Sequence, residues 1–334
     1  MTIRVLCTAL DSWEGPHREL LSEAGFDCET MNQSLDPWNG DDLVRALQGC
    51  GAVIAGGEPY PAEVIHRCPQ LRVIARNGVG FDAIDLAACD EQDIVVAIMP
   101  GVNHHSVAEH AIAMLVAVAR GFPRQDRQVR EGTWHRQSGP RIMGRTLGLV
   151  GLGRIGLAVA ERALGLGMSV LAFDPLISPD LAKSSGVRLV GFSELLRESD
   201  FVSLHAPALP ETYHLINDQS IAEMKPGAIL INTARGQLVD ESALIRGLHS
   251  GQLGGAGLDV FEQEPLPAGS PLATMENVLL SGHVAGLDDE SHRDMCRMIV
   301  DTLIRLRAGE WPAERIVNHS ETTGWSWSSN ADRR

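Results

Sequence analysis

The chain has 334 residues, 44% hydrophobic and 21% charged, with a formal net charge of −15. That composition is globular and the length suits two domains. The acidic balance excludes nucleic acid and an anionic membrane surface as partners, because both want a basic face. It leaves a small anionic substrate open, since such a ligand responds to local charge.

No apolar run reaches the roughly 18 residues that would span a bilayer. The opening MTIRVLCTALDSWEG reads as strand and loop rather than as a leader, because Asp11 and Glu14 soon break its short apolar run. Cys7, Cys28, Cys50, Cys68, Cys89 and Cys296 show no CxxC and no metal spacing. They are expected to be reduced core thiols of a cytoplasmic protein.

Strand-like runs alternate with helical patterns almost throughout, the signature of βαβ units and a parallel sheet. RVLCTAL (4–10), GAVIAG (51–56), LRVIAR (71–76) and DIVVAI (93–98) are the first strands, with helices at HRELLSEAG (17–25) and DDLVRALQG (41–49) among the segments between. An apolar helix follows at 104–121, then a polar stretch at 122–144. His104 and His105 open that helix. They are not read as a metal pair, since adjacent helical residues point about 100° apart. A second series of strands comprises TLGLVG (146–151), SVLAFD (169–174), FVSLHA (201–206), AILINTA (228–234), GAGLDVF (255–261) and VLLSGH (278–283). A last helix covers 290–310. The tail ETTGWSWSSNADRR is expected either to be mobile or to dock through Trp325 and Trp327 on a neighbour.

Gly151, Gly153 and Gly156 form GxGxxG between an apolar strand and an amphipathic helix from Arg154 to Leu166, and the next strand ends in Asp174. A lone GxGxxG is weak, but this context is the one a dinucleotide demands. Gly151 permits the tight turn, Gly153 lets a pyrophosphate approach the backbone, and Gly156 lets the helix pack on the strand. Arg154 and Ile155 open the helix whose N–H groups face the phosphates. Asp174 can accept from both ribose hydroxyls and would repel a 2′-phosphate, and Pro175, Leu176 and Ile177 add no cation, so NAD is expected over NADP.

Arg235 comes soon after the buried run AILI and is flanked by Ala234 and Gly236, which leave room for something to approach. Glu264 follows GAGLDVF, and His283 ends VLLSGH. Ligands of doubly wound sheets bind beyond the carboxyl ends of the strands, so the three are expected to converge there. Each residue alone is ordinary; together, after a nucleotide fingerprint, they suit hydride transfer to a 2-keto acid. Arg235 offers a planar fork for a carboxylate or keto oxygen. His283 can protonate the carbonyl oxygen. Glu264 would hold the imidazole and favour its charged form. Asp259 is placed at the nicotinamide carboxamide.

GLGRIG, HAPALPETYHLI, MKPGAILINTARGQLVDESAL, GAGLDVFEQEPLP and NVLLSGHVAG resemble the D-isomer-specific 2-hydroxyacid dehydrogenases, as do ARNGVGFDAIDL and PGVNHHSVAEHAIAML in the N-terminal part. The resemblance covers nearly the whole chain except its last dozen or so residues. It implies an α/β protein of two doubly wound parallel-sheet domains. A Rossmann cofactor domain (102–286) would be inserted into a flavodoxin-like substrate domain (1–101 and 287–334), with the active site in the cleft. It also implies that Arg235, Glu264 and His283 are catalytic and that Val79 and Gly80 bind the substrate carboxylate through backbone N–H groups, with Arg76 the nearby cation. Val107, His205, Pro207, Thr212, Thr233, Ala234 and Gly286 would join the glycine motif, Asp174 and Asp259 in lining NAD. A homodimer is implied, which suits the polar arm around Trp134.

Substrates in this family include phosphorylated acids, which want cations. The loop AGGEPYPAE (55–63) has none and carries Glu58, so hydroxypyruvate or glyoxylate is expected. D-3-phosphoglycerate is the alternative, although its dehydrogenases often add a regulatory domain for which there is no room here. Tyr60 either closes over a substrate tail or packs on its own strand. The family also includes corepressors that bind NAD(H) without turnover. The lack of long disordered extensions or a basic patch counts against that reading.

Overall fold

Along the strand AVIA, successive side chains enter different cores. Val53 and Ala55 join one apolar cluster, while Ala52 and Ile54 join another. The neighbouring strand alternates in step, with Ile74 in the first cluster and Val73 and Ala75 in the second. A strand buried on both faces reads as a continuous apolar run, because neither alternating set meets water.

This architecture comes from a computed structural model that describes residues 2–9, 15–319 and 325–327. The chain divides into two units, Met1–Asn103 with Asp288–Arg334, and His104–Leu287. The first unit runs β1 (Ile3–Cys7), α1 (His17–Glu23), β2 (Phe26–Thr30), α2 (Gly40–Leu47), β3 (Ala52–Ala55), α3 (Ala62–His66), β4 (Val73–Arg76), α4 (Leu86–Glu91) and β5 (Val95–Ala97). Its sheet has the order β2-β1-β3-β4-β5, with every pair parallel. That order is flavodoxin-like, and it reverses at β1/β3.

The second unit begins with α5 (His104–Ala119) and α6 (Phe122–Arg130). It continues through β6 (Thr146–Val150), α7 (Arg154–Gly165), β7 (Ser169–Phe173), α8 (Pro179–Ser184), β8 (Arg188–Leu189), α9 (Phe192–Glu198), β9 (Phe201–Leu204), α10 (Asp218–Glu223), β10 (Ala228–Asn232), α11 (Glu241–Ser250), β11 (Leu253–Leu258) and β12 (Val278–Leu280). The sheet order is β12-β11-β10-β9-β6-β7-β8, again parallel throughout. This is the Rossmann order with one added strand, and it reverses at β6/β9. The chain then returns to the first unit as α12 (Asp289–Arg307), whose Met295, Ile299, Leu303 and Leu306 line one of that unit's cores.

Three segments differ from expectation. FDCET forms edge strand β2, paired only with β1. Its alternating exposure dilutes the apolar signal. The polar stretch opens as α6, a helix with no buried residue. Trp325 and Trp327 pack on the chain's own first unit. Trp325 Nε1 donates to the Asp93 carbonyl at 3.1 Å, Arg72 lies over the Trp325 ring, and Trp327 meets Phe26 edge-on. Leu10, the breakers Asp11 and Glu14, and the rest of the tail at 321–324 and 328–334 lie outside the described residues. Among the described residues no helix is long and apolar enough to cross a membrane, and no His, Cys, Asp and Glu group could hold a metal.

Candidate active site

Strand β6 stops at Val150 because Gly151 leaves the extended region, with φ of 94°. A Cβ on Gly151 would lie 2.7 Å from the His205 carbonyl oxygen, and one on Gly156 would lie 2.3 Å from the Gly151 carbonyl oxygen. Both positions therefore need glycine for close packing. A Cβ on Gly153 would meet nothing within 4 Å, so that backbone is open to a ligand. Gly153 caps α7 with no side-chain hydrogen bond, leaving the helix N-terminus to an anion. Arg154 is exposed and Ile155 half-buried beside it.

Two buried polar atoms past the carboxyl ends of this sheet's strands have no hydrogen-bond partner, His205 Nδ1 beside the turn and Thr233 Oγ1 after β10. An orphaned polar atom beside an open glycine turn, with a second along the same sheet edge, is what a polar ligand would satisfy, so the residues fit a dinucleotide. His205 Nε2 meets Ser203 Oγ at 2.9 Å, and burial lowers the pKa of His205 to about 4, keeping the ring neutral. Thr212 Oγ1 donates to the Pro207 carbonyl at 2.7 Å and accepts from Leu209 N–H, fixing that loop. Asp174 also braces the glycine turn, since its carboxylate accepts from Leu152 N–H at 2.8 Å and from the N–H groups of Leu176 and Ile177. It still has lone pairs for hydroxyls. Val107 is buried in α5, and Ser106 ties that helix to the loop of Gly286 through the Ala285 carbonyl at 2.8 Å.

Arg235 sits on a turn that Asn232 builds. The Asn232 side chain donates to the Arg235 carbonyl at 2.8 Å and accepts from Ala234 N–H at 3.1 Å. The guanidinium donates to the Ala234 carbonyl at 2.6 Å. Gly236 has a specific cause: its Cβ would lie 1.9 Å from the Phe261 carbonyl carbon. The Arg235 turn thus presses on the segment leading to Glu264. Glu262 in that segment is held by Glu241, which accepts its N–H at 2.8 Å, and by the His214 ring.

Glu264 Oε2 meets His283 Nδ1 at 2.7 Å, while its Oε1 accepts from Phe261 N–H at 3.1 Å. A carboxylate only accepts, so Nδ1 carries the proton and Nε2 is the other face of the ring. His283 lies beyond the end of β12 rather than on it, with φ of 57°, a region where a non-glycine residue stores strain. Asp259 holds it there. The Asp259 carbonyl accepts from His283 N–H at 2.7 Å, and its carboxylate accepts from Val284 N–H, Ala285 N–H and Ser281 Oγ. His110 supports Ser281 at 2.9 Å. Asp259 is 0% exposed, so its visible role is to anchor the loop of His283.

The sequence reading missed Asn232 and the anchoring by Asp259. The signal was present: a polar residue ending a fully apolar run must find partners.

The expected substrate residues belong to the first unit. Asn77 N–H donates to the Ala55 carbonyl at 2.8 Å, and Gly78 takes φ of 152°. Val79 and Gly80 are half-buried in the following loop. Arg76 donates to the Asn77 carbonyl at 3.1 Å. Tyr60 does not close over a substrate: it is fully buried, with its hydroxyl donating to Glu58 at 2.8 Å.

Residues 112–285 match the family model for D-isomer specific 2-hydroxyacid dehydrogenase, NAD binding domain. A glyoxylate reductase of Korarchaeum cryptofilum is 44% identical over 309 residues, covering 89% of this chain and 93% of the relative. A D-3-phosphoglycerate dehydrogenase of Archaeoglobus fulgidus is 39% identical over 83% of this chain but only 53% of its own length, so the chain spans about half of that relative. The crystal structure of a D-lactate dehydrogenase from Aquifex aeolicus, complexed with NAD and lactic acid, superposes with a TM-score of 0.82 at 31% identity, covering 95% of this chain and 100% of that one. The chain belongs to the D-isomer-specific 2-hydroxyacid dehydrogenase family and is an NAD-dependent oxidoreductase.

Proposed function

We propose that the chain interconverts a small 2-keto acid and its D-2-hydroxy acid, with glyoxylate or hydroxypyruvate as substrate, and that Arg235, Glu264 and His283 carry the reaction. The 2.7 Å pairing of His283 Nδ1 with Glu264 carries this reading, because it turns Nε2 into a donor and acceptor of a single proton. His283 gives that proton to the keto oxygen during reduction and recovers it in reverse. Glu264 keeps the ring in one tautomer and orientation. The Arg235 fork holds the carboxylate and keto oxygen of the acid. The N–H groups of Val79 and Gly80, with Arg76, add to the hold on the carboxylate. When bound, NAD supplies the hydride acceptor or donor. Val107, Gly151, Gly153, Arg154, Ile155, Gly156, Asp174, His205, Pro207, Thr212, Thr233, Ala234, Asp259 and Gly286 form its binding set.

The six cysteines are free and buried, which supports the cytoplasm as the location. Phe122, Val129 and Trp134 expose apolar side chains, which supports a homodimer through that arm. The division into 102–286 and its flanking segments is the domain boundary that follows from this reading.

D-3-phosphoglycerate is the second reading, favoured by the Archaeoglobus relative. NADH oxidation with glyoxylate, hydroxypyruvate, pyruvate, phosphohydroxypyruvate, sulfopyruvate and phenylpyruvate tests both. Glyoxylate or hydroxypyruvate should lead. A clear preference for phosphohydroxypyruvate would replace the first reading with the second, and no turnover while NADH still binds would defeat both.

A further inference from the structure

A backbone state such as that of His283 persists only where its surroundings over-determine it. The loop 281–285 around it is held by two elements in different ways. Its donors go to the end of β11. Ser281 N–H reaches the Leu258 carbonyl at 3.0 Å and His283 N–H the Asp259 carbonyl at 2.7 Å, while the N–H groups of Val284 and Ala285 reach the Asp259 carboxylate at 3.0 and 2.9 Å. Its acceptors go to α5. Ser106 Oγ donates to the Ala285 carbonyl at 2.8 Å, and His110 Nε2 lies 2.9 Å from Ser281 Oγ. Ser281 gives its one hydroxyl hydrogen to Asp259 Oδ1, so toward His110 it can only accept. His110 Nε2 therefore carries a proton and donates it.

The sequence of α5 explains why it can reach this loop. Ser106, His110, Met114 and Val118 follow one another at four-residue spacing, so they form one stripe of the helix. The lower half of the stripe packs on β11 at its glycines. A Cβ on Gly255 would lie 2.7 Å from Val118 Cγ1, and one on Gly257 would lie 3.0 Å from Met114 Cβ. Two glycines thus let the helix settle close on the strand that leads to Asp259. The upper half of the stripe then meets the loop at 281 and 285, two residues on either side of His283. Bonds to one strand end set the path of a loop, and bonds to a second element stop it tilting about that end.

We propose that Ser106 and His110 are positioning residues: from one stripe of α5 they hold the loop of His283 on both sides and so fix the direction in which its imidazole presents a proton. Both act through the loop rather than on the reacting atoms. This deepens the function proposed above and rests on its assignment of His283.

The test compares kcat, KM and the NADH dissociation constant in the wild type, His110→Phe, His110→Gln, Ser281→Ala and Ser106→Ala, with the acid of the panel above that the wild type reduces fastest. His110→Phe keeps a ring and loses the donor, whereas His110→Gln keeps an N–H at similar reach. Ser281→Ala removes the link to Asp259. His110→Phe, Ser281→Ala and Ser106→Ala should each lower kcat about tenfold or more, with KM and NADH binding within about threefold of wild type. His110→Gln should restore kcat to within about threefold of wild type. In a His283→Asn background, adding His110→Phe should cost less than about twofold more, because the group it positions is gone. An unmoved kcat in folded His110→Phe and Ser106→Ala overturns the inference, while the loss in His283→Asn leaves the assignment of His283 standing. So does an equal loss in His110→Gln, a loss of NADH affinity in step with kcat, or a full further loss in the His283→Asn background. Near-normal turnover in His283→Asn overturns the assignment of His283 and this inference together.

Discussion

At the carboxyl edge of the second unit's sheet, two of the carboxylates that follow β11 differ sharply. Asp259 is fully buried and collects backbone N–H groups, whereas the Glu264 side chain is 27% exposed and holds an imidazole that is itself 45% exposed. The first unit's sheet places its carboxylate, Glu58, on two hydroxyls and one N–H with almost no exposure. The same functional group therefore does three things. Buried among backbone donors it builds a loop, buried among hydroxyls it ties one loop to the sheet edge, and partly exposed it pairs with an imidazole. Burial and partner type, not residue type, decide among these roles.

His283→Asn should lower kcat by about 10²–10⁴ while NADH binding, read by fluorescence titration, stays within a few fold. Near-normal turnover would remove the distinction between the exposed pair and the buried anchors. At Asp259 the loss should instead appear in stability. Asp259→Asn turns an acceptor of N–H groups into a partial donor and should cost about 3 kcal/mol, read by urea unfolding. Glu264→Gln should cost under about 1 kcal/mol and still depress kcat. Equal stability losses in the two variants would erase the contrast.

Buried His205 sharpens it through pH. An unfolded histidine takes up a proton near pH 6.5, whereas folded His205 does so only near 4. Stability should therefore fall as pH drops from about 6.5 towards 4, by up to about 3 kcal/mol, with no further loss from this group below that. His205→Gln should flatten that part of the profile in thermal melts, and an unchanged slope would assign it elsewhere. Arg235→Lys should lower kcat/KM about 10- to 100-fold, since a point charge cannot replace a bidentate fork; wild-type kinetics in that variant would sink the role given to the fork. The smallest effect belongs to Asp174. Asp174→Ala should narrow the preference for NADH over NADPH about tenfold, and loss of its bonds to Leu152 and Leu176 should also soften the glycine turn. An unmoved coenzyme ratio would shift the ribose contact elsewhere.

Much of the fold was legible because its strands are buried on both faces. Runs such as AVIA and AILI are continuous apolar text, and the glycine turn announces the change from strand to helix. Strand β2 was illegible because an edge strand alternates. Helix α6 buries nothing, so its polar residues carry no periodic apolar stripe. The docking of Trp325 and Trp327 depends on Asp93, Arg72 and Phe26, which lie more than two hundred residues away in the chain. At the candidate site, residue types at strand ends suggested Arg235, Glu264 and His283, but nothing local told that Asn232 shapes the Arg235 turn or that Gly236 is needed against Phe261.

By itself, the amino-acid sequence determined the alternation of strands and helices, the glycine turn with its acid, and the identity of the groups able to move a proton or hold a carboxylate. These are local properties, set by periodicity, backbone freedom and side-chain chemistry. Tertiary structure alone decided which carboxylate is an anchor and which a partner for histidine, that Tyr60 is core rather than lid, and that the Glu58 side chain is buried. The reason is physical: burial and hydrogen-bond partners come from segments distant in the chain, and they set the energy of a charge far more than its neighbours in sequence do.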